Sequence, residues 1–140
     1  MHMPAVNYIA VLVTAVLIFM LGGLWYSPLM FTKRWIALQG KTMDQMKMEA
    51  ATANMPLMYL SAFVAALIIS YVMAGFISAL APGNLPAALH IAFFAWLGFA
   101  GATSYTTNMF SGRSKQLWLI DSGYNLVSFL IAGALLAVWR

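Results

Sequence analysis

Residues Leu57–Leu80, LMYLSAFVAALIISYVMAGFISAL, hold no charged side chain and exceed the roughly 20 helical residues that cross a bilayer core. A surface helix of a soluble domain of this length needs a polar face. This stretch offers only scattered serines and tyrosines, so lipid is its natural solvent. Within it, Ala62, Ala66, Ser70, Ala74 and Ser78 recur every fourth residue and form one helix face of small side chains. In lipid, apolar helices gain no hydrophobic energy by meeting, and close backbone approach takes over. The stripe is therefore expected to pack against another helix, in this chain or in a second one.

Three more stretches are long and apolar enough to span, approximately Ala5–Tyr26, Ala87–Met109 and Leu117–Trp139. Hydrophobic residues make up 64% of the 140-residue chain and charged residues 7%, against about a quarter charged in soluble domains. Strand alternation is missing, which argues against a β-barrel. The expected fold is an all-α membrane protein, residues 1–140 forming one integral domain with four transmembrane helices in a bundle. Little sequence lies outside the spans, leaving no room for a separate catalytic domain. Cysteine is absent, which removes disulfides, thiolate metal sites and Cys nucleophiles. The first stretch does not read as a cleavable signal, having no preceding Lys or Arg and no A-x-A-like site. Met1-His2-Met3 fits a cloning remnant ahead of a native Met3.

Every proline sits at an edge: Pro4 before span one, Pro28 after it, Pro56 opening span two, Pro82 and Pro86 around the APGNLP turn. The pattern favours intact rods over helices broken at mid-membrane, with Gly22-Gly23, Gly75, Gly98 and Gly101 as points where a helix can soften. Gly98/Ala102 and Gly133/Ala137 are short versions of the small-residue face. Trp118 and Trp139 bracket span four, about 31 Å apart along a helix. Tyr8 and Trp25-Tyr26 bracket span one, and all these rings suit the headgroup boundary.

Between spans one and two, residues 28–54 read as one or two short amphipathic helices on the cytoplasmic surface. Ser27 is expected to N-cap a helix with Pro28 at its first position, running to Gln39 and stopping at Gly40. Thr42-Met43-Asp44-Gln45 then has the form of a capping box. Trp35, Ile36, Met43 and Met46 supply apolar surface beside Lys33, Arg34, Lys41 and Lys47. Arg113 and Lys115 lie between spans three and four, while the opposite side carries only Arg140. The positive-inside rule places both basic loops in the cytoplasm and both termini outside, in an inner membrane. The modest positive excess of the chain is thereby a matter of orientation, and nucleic acid is not an expected partner.

Chemistry-bearing groups are sparse. Asp121 is the one acidic residue inside a span, one turn beyond Trp118, with Asn125 and Ser128 following on the same face. Tyr26 and Ser27 of span one, and Thr103, Ser104, Tyr105, Thr106, Thr107 and Asn108 of span three, end at the same level. The candidate polar cluster is Tyr26, Thr103, Thr107, Asp121 and Asn125. Intramembrane carboxylates are costly and often functional, so an ion, proton or polar-solute site is one reading. The other is a structural network in which Asp121 pairs with Arg113, Lys115 or a tyrosine hydroxyl. His90, near the other end of span three, lies roughly 25 Å from Asp121 and is not its pair within one subunit. Met43, Met46 and Met48 lack the Cys or His that would make a soft-metal site, so no metal or cofactor is expected. No nucleophile triad, phosphate-binding loop or metalloenzyme motif occurs, and no enzyme is expected.

LGGLWYSPLMFTKRW (Leu21–Trp35), the Met-containing polar segment after it, and LWLIDSGYNL (Leu117–Leu126) resemble the bacterial domain of unknown function 1761 family. The G-x-L-W-Y-S-P-L-x-F stretch is the most specific part, and the likeness covers nearly the whole chain. The family pattern often has Asn where this chain has Asp121, and His where it has Asn125. The resemblance implies a small four-span membrane protein and no particular reaction. The leading functional expectation is a non-enzymatic membrane module that assembles with itself or serves as an accessory subunit. An oligomeric channel or transporter lined by the Asp121 cluster is the alternative, and a lipid-interacting protein with basic surface helices the third.

Overall fold

The computed structural model describes residues 5–140, and the readings of Met1-His2-Met3 and Pro4 lie outside them. All its regular structure is helical, with no strand among the described residues. The order is α1 (Tyr8–Trp25), α2 (Thr32–Leu38), α3 (Met43–Thr52), α4 (Met55–Leu80), α5 (Leu85–Ala95), a π-helical segment Trp96–Gly101, α6 (Ala102–Phe110) and α7 (Lys115–Val138). Four units are long and apolar enough to cross a membrane: α1, α4, the continuous Leu85–Phe110 span and α7.

Side-chain caps set where most of these helices start. Asn7 accepts from the Ile9 and Ala10 amides, Asn54 from Leu57, Asn84 from Ala87, and Ser114 from Gln116. Each bond satisfies an amide that the first turn leaves without a carbonyl. Pro56 and Pro86 stand in first turns, where proline's missing N–H costs no bond. The Thr42 box is complete: its hydroxyl accepts from the Gln45 amide, and the Gln45 side chain accepts from the Thr42 amide at 2.8 Å. Gly40, at φ +72°, takes the left-handed conformation that ends α2.

Two sequence expectations are corrected. Ser27 does not cap a helix running from Pro28. Its hydroxyl instead donates to the Leu24 carbonyl at 2.6 Å and accepts from the Leu29 amide, closing a tight turn. Helix α2 therefore begins only at Thr32, whose hydroxyl donates to the Tyr26 carbonyl. Span three is not an intact rod either, because Trp96–Gly101 widens into a π-helix. The Trp96 ring lies against Gly101, where a Cβ would sit 3.2 Å from it, and the Trp96 indole donates to the Ser122 carbonyl. A side-chain bond to the neighbouring helix, with glycine giving the ring room, accounts for the bulge where no proline does.

Helix α7 is the centre of the bundle. It packs against α1, α4, α5, the π segment and α6, whereas α5 meets α4 only slightly. Helices α1 and α4 pair closely, with Phe19 edge-on to Phe63 at 6.0 Å. Small side chains dominate the core: Ala10, Thr14 and Ala15 of α1, Ala66, Ser70 and Ala74 of α4, and Ser128 and Ala132 of α7 are all buried, with Ile18, Met73 and Ile77 as the larger buried members. The middle of the α4 stripe is thus covered within this chain, while Ala62 is exposed and Ser78 donates to the Ala5 carbonyl. On the other side of α7, Gly133 meets α5 so closely that a Cβ there would lie 2.6 Å from the Ala92 methyl. Gly98 and Ala102, by contrast, are exposed, and nothing stands near Gly98.

Candidate functional site

The start of α7 gathers most of the polar chemistry. One oxygen of the Asp121 carboxylate, Oδ1, accepts from the Tyr26 hydroxyl at 2.6 Å and from the Trp35 indole at 3.2 Å. Its other oxygen stands 4.0 Å from the Arg113 guanidinium. The tight turn at Ser27–Phe31 makes this convergence possible, since it folds α2 back across the end of α1. Tyr26 and Trp35 then meet edge-on at 5.2 Å, over the first turns of α7. The carboxylate is about one-third exposed, so its charge is shared among two neutral donors, one cation and solvent.

Around this point the indole and phenol groups face inward. Trp25 donates to the Ile120 carbonyl at 2.9 Å, and Tyr124 to the Ile18 carbonyl at 3.0 Å. Trp118 donates to the Ser104 hydroxyl, which also lies 3.3 Å from Ser122. Gly123 leaves space for the Trp25 ring, 3.0 Å from where a Cβ would project. Trp25 and Trp118, read from sequence as boundary rings, therefore bind other spans through their N–H groups. Tyr8 and Trp139 stay exposed.

The structure brings together only part of the five-residue cluster. Tyr26 and Asp121 are in direct contact. Thr103 and Thr107 are exposed on α6, and their hydroxyls bond to carbonyls of their own helix. Asn125 is half-buried one turn beyond Asp121 and takes no part in these bonds. Ser128, on the same face, is buried and donates to the Tyr124 carbonyl. His90 is exposed near the opposite end, with its ring 4.5 Å from Phe94. It borders an apolar groove between α4 and α5 together with Phe76, Leu80 and Phe99.

Trp35 and Trp96 are the members that sequence reading missed. For Trp96 the available signal was Gly101, which gives its ring room, whereas no glycine marks the approach of Trp35. Chemically, the arrangement is a set of donors closed on one carboxylate and three helix carbonyls, those of Ile18, Ile120 and Ser122. It can tie the α2 segment to the bundle.

A family model described as "Protein of unknown function (DUF1761)" matches residues 9–137. No curated protein and no solved structure matches the chain.

Proposed function

The chain belongs to the DUF1761 family, a match that spans all four apolar helices, and from that premise we propose that it is a non-enzymatic membrane module which assembles with itself or with another membrane subunit. One observation carries this reading. The lone carboxylate within the spans is taken up by Tyr26 and Trp35 and faces Arg113, so its work is to hold a cytoplasmic segment on the bundle.

For assembly, the support is the exposed side of span three. Gly98, Ala102 and Thr106 lie four residues apart there, outside the contacts with α7, and small residues at that spacing allow close helix approach in lipid. The natural absence of cysteine makes single-cysteine crosslinking clean. Ala102→Cys is expected to give a crosslinked dimer in membranes, and photobleaching of labelled protein in bilayers is expected to count more than one copy. Single copies without a co-purifying subunit, together with an ion flux abolished by Asp121→Asn, would replace this reading with a transport pathway.

The same proposal places the protein in a bacterial inner membrane, with the basic end in the cytoplasm and both ends of the chain outside. A periplasm-active reporter fused after Arg140 is expected to be active; activity of a cytoplasmic reporter there would reverse the orientation.

A further inference from the structure

Where span three turns back into span four, a cavity of about 190 Å³ opens beside the loop. Its walls are Tyr105, Asn108 and Met109 of α6, Arg113 and Lys115 at the turn, and Trp118 of α7. Two kinds of chemistry meet in this lining. Arg113 and Lys115 form a cationic rim, and no carboxylate lines the cavity. Lys115 has no ion pair among the described residues, and Arg113 has only its 4.0 Å approach to Asp121. Much of the remaining lining is apolar, from Tyr105, Met109 and Trp118. Tyr105 and Trp118 meet edge-on at 5.2 Å, and Met109 and Tyr105 remain open to the surroundings.

A second cleft, on the other side of Arg113, is lined by Leu38, Gln39, Lys41, Ser114 and Leu117. Its lysine is already paired with Glu49 at 2.9 Å. The cavity at Lys115 thus has the freer positive charge and the only apolar floor of the two that faces span three.

We propose that this cavity holds the phosphate headgroup of an anionic membrane phospholipid. Arg113 and Lys115 meet the phosphate, the Asn108 amide donates to its oxygens, and Tyr105, Met109 and Trp118 lie against the glycerol and the first acyl carbons. A lipid fits better than a free phosphate ester because the apolar floor lies at the end of two spans, where acyl chains begin. Basic pockets between spans at this level recognise acidic headgroups by the same combination of charge and depth. The assignment stands apart from the assembly reading, since it concerns one chain's own loop and is read out in any oligomeric state.

The test is native mass spectrometry of the protein released from phosphatidylcholine nanodiscs containing a minor fraction of phosphatidylglycerol. The wild type is expected to retain phosphatidylglycerol. Arg113→Gln/Lys115→Gln should weaken retention roughly thirtyfold, as expected for two nearby cations. Lys33→Gln/Lys47→Gln removes equal charge from the same end of the molecule but none from the cavity lining, and should change retention clearly less than the Arg113/Lys115 pair does. Equal losses in the two pairs, or no preference for phosphatidylglycerol in the wild type, would overturn the site. Excess glycerol phosphate should fail to displace the lipid; displacement with retention of the soluble ester would overturn the lipid assignment. If the Arg113 change unfolds the protein, Lys115→Gln alone carries the test, with an expected loss of about fivefold.

Discussion

The hydroxyl of Tyr26 and the carboxylate of Asp121, 95 positions apart in sequence, are joined by a 2.6 Å hydrogen bond that links the end of span one to the start of span four. Trp35 shares the same acceptor oxygen, so one carboxylate fixes both the turn after α1 and the helix that follows it. Removing the Tyr26 hydroxyl as Tyr26→Phe should destabilise the bundle by about 1.5–3 kcal/mol, the range for a hydrogen bond to a charged group, with hydration of the part-exposed carboxylate favouring the lower end. Asp121→Asn keeps an acceptor oxygen and should cost less, whereas Asp121→Leu leaves two donors unmatched and should cost more. Unfolding in bicelles with a double-mutant cycle measures the coupling; additive effects of the Tyr26 and Asp121 changes would show that the bond contributes nothing.

Gly133→Ala tests the α5–α7 contact. A methyl there meets the Ala92 methyl at 2.6 Å and the Ala88 carbonyl at 3.1 Å, so the helices must separate. Overpacking of this kind costs about 1–3 kcal/mol. Ala92→Gly in the same chain should restore part of the loss. Thermal unfolding that is unchanged by Gly133→Ala would mean that span three does not press on span four here.

How much of this was legible beforehand follows from the physics of each residue. Hydropathy over the four stretches, Pro56 opening span two and the Thr42–Gln45 box all act locally, and each has its counterpart in the structure. The Ser27 turn was misread because a serine hydroxyl can satisfy either the helix ahead or the carbonyl behind, and sequence does not rank them. Gly101 is among the points where the sequence lets a helix soften, but the Trp96 bond to Ser122 that completes the π-helix arises between segments, so the bulge itself escaped. Of the candidate cluster, Asp121 and Tyr26 share a level and a direction. Thr103 and Thr107 share only the level, and periodicity along one helix says nothing of how that helix is rotated against its neighbours.

Gly123→Ala should disturb Trp25. The added methyl would stand 3.0 Å from the indole ring, whose N–H bonds the Ile120 carbonyl. The expected result is a shifted Trp25 emission in a variant that keeps this indole and replaces the other four with phenylalanine, with stability lowered by about 1 kcal/mol. An unaltered spectrum would place the ring elsewhere.

Thr42→Ala breaks the capping box and should loosen α3 without touching the bundle. A lost N-cap costs about 1 kcal/mol, and in a helix with no buried residue that loss stays local. Hydrogen exchange should quicken several-fold across Met43–Thr52 while Met55–Leu80 keeps its protection. Equal acceleration in both segments would show that α3 is coupled to the spans.

The central place of α7 also sets an order of events during synthesis. Spans one and two find each other as soon as both have entered the bilayer, because α1 and α4 are mutual partners. Span three emerges next, and nearly all of its packing is with a helix not yet made. At ribosomal speeds it waits for roughly seconds, surrounded by lipid or by the insertion machinery.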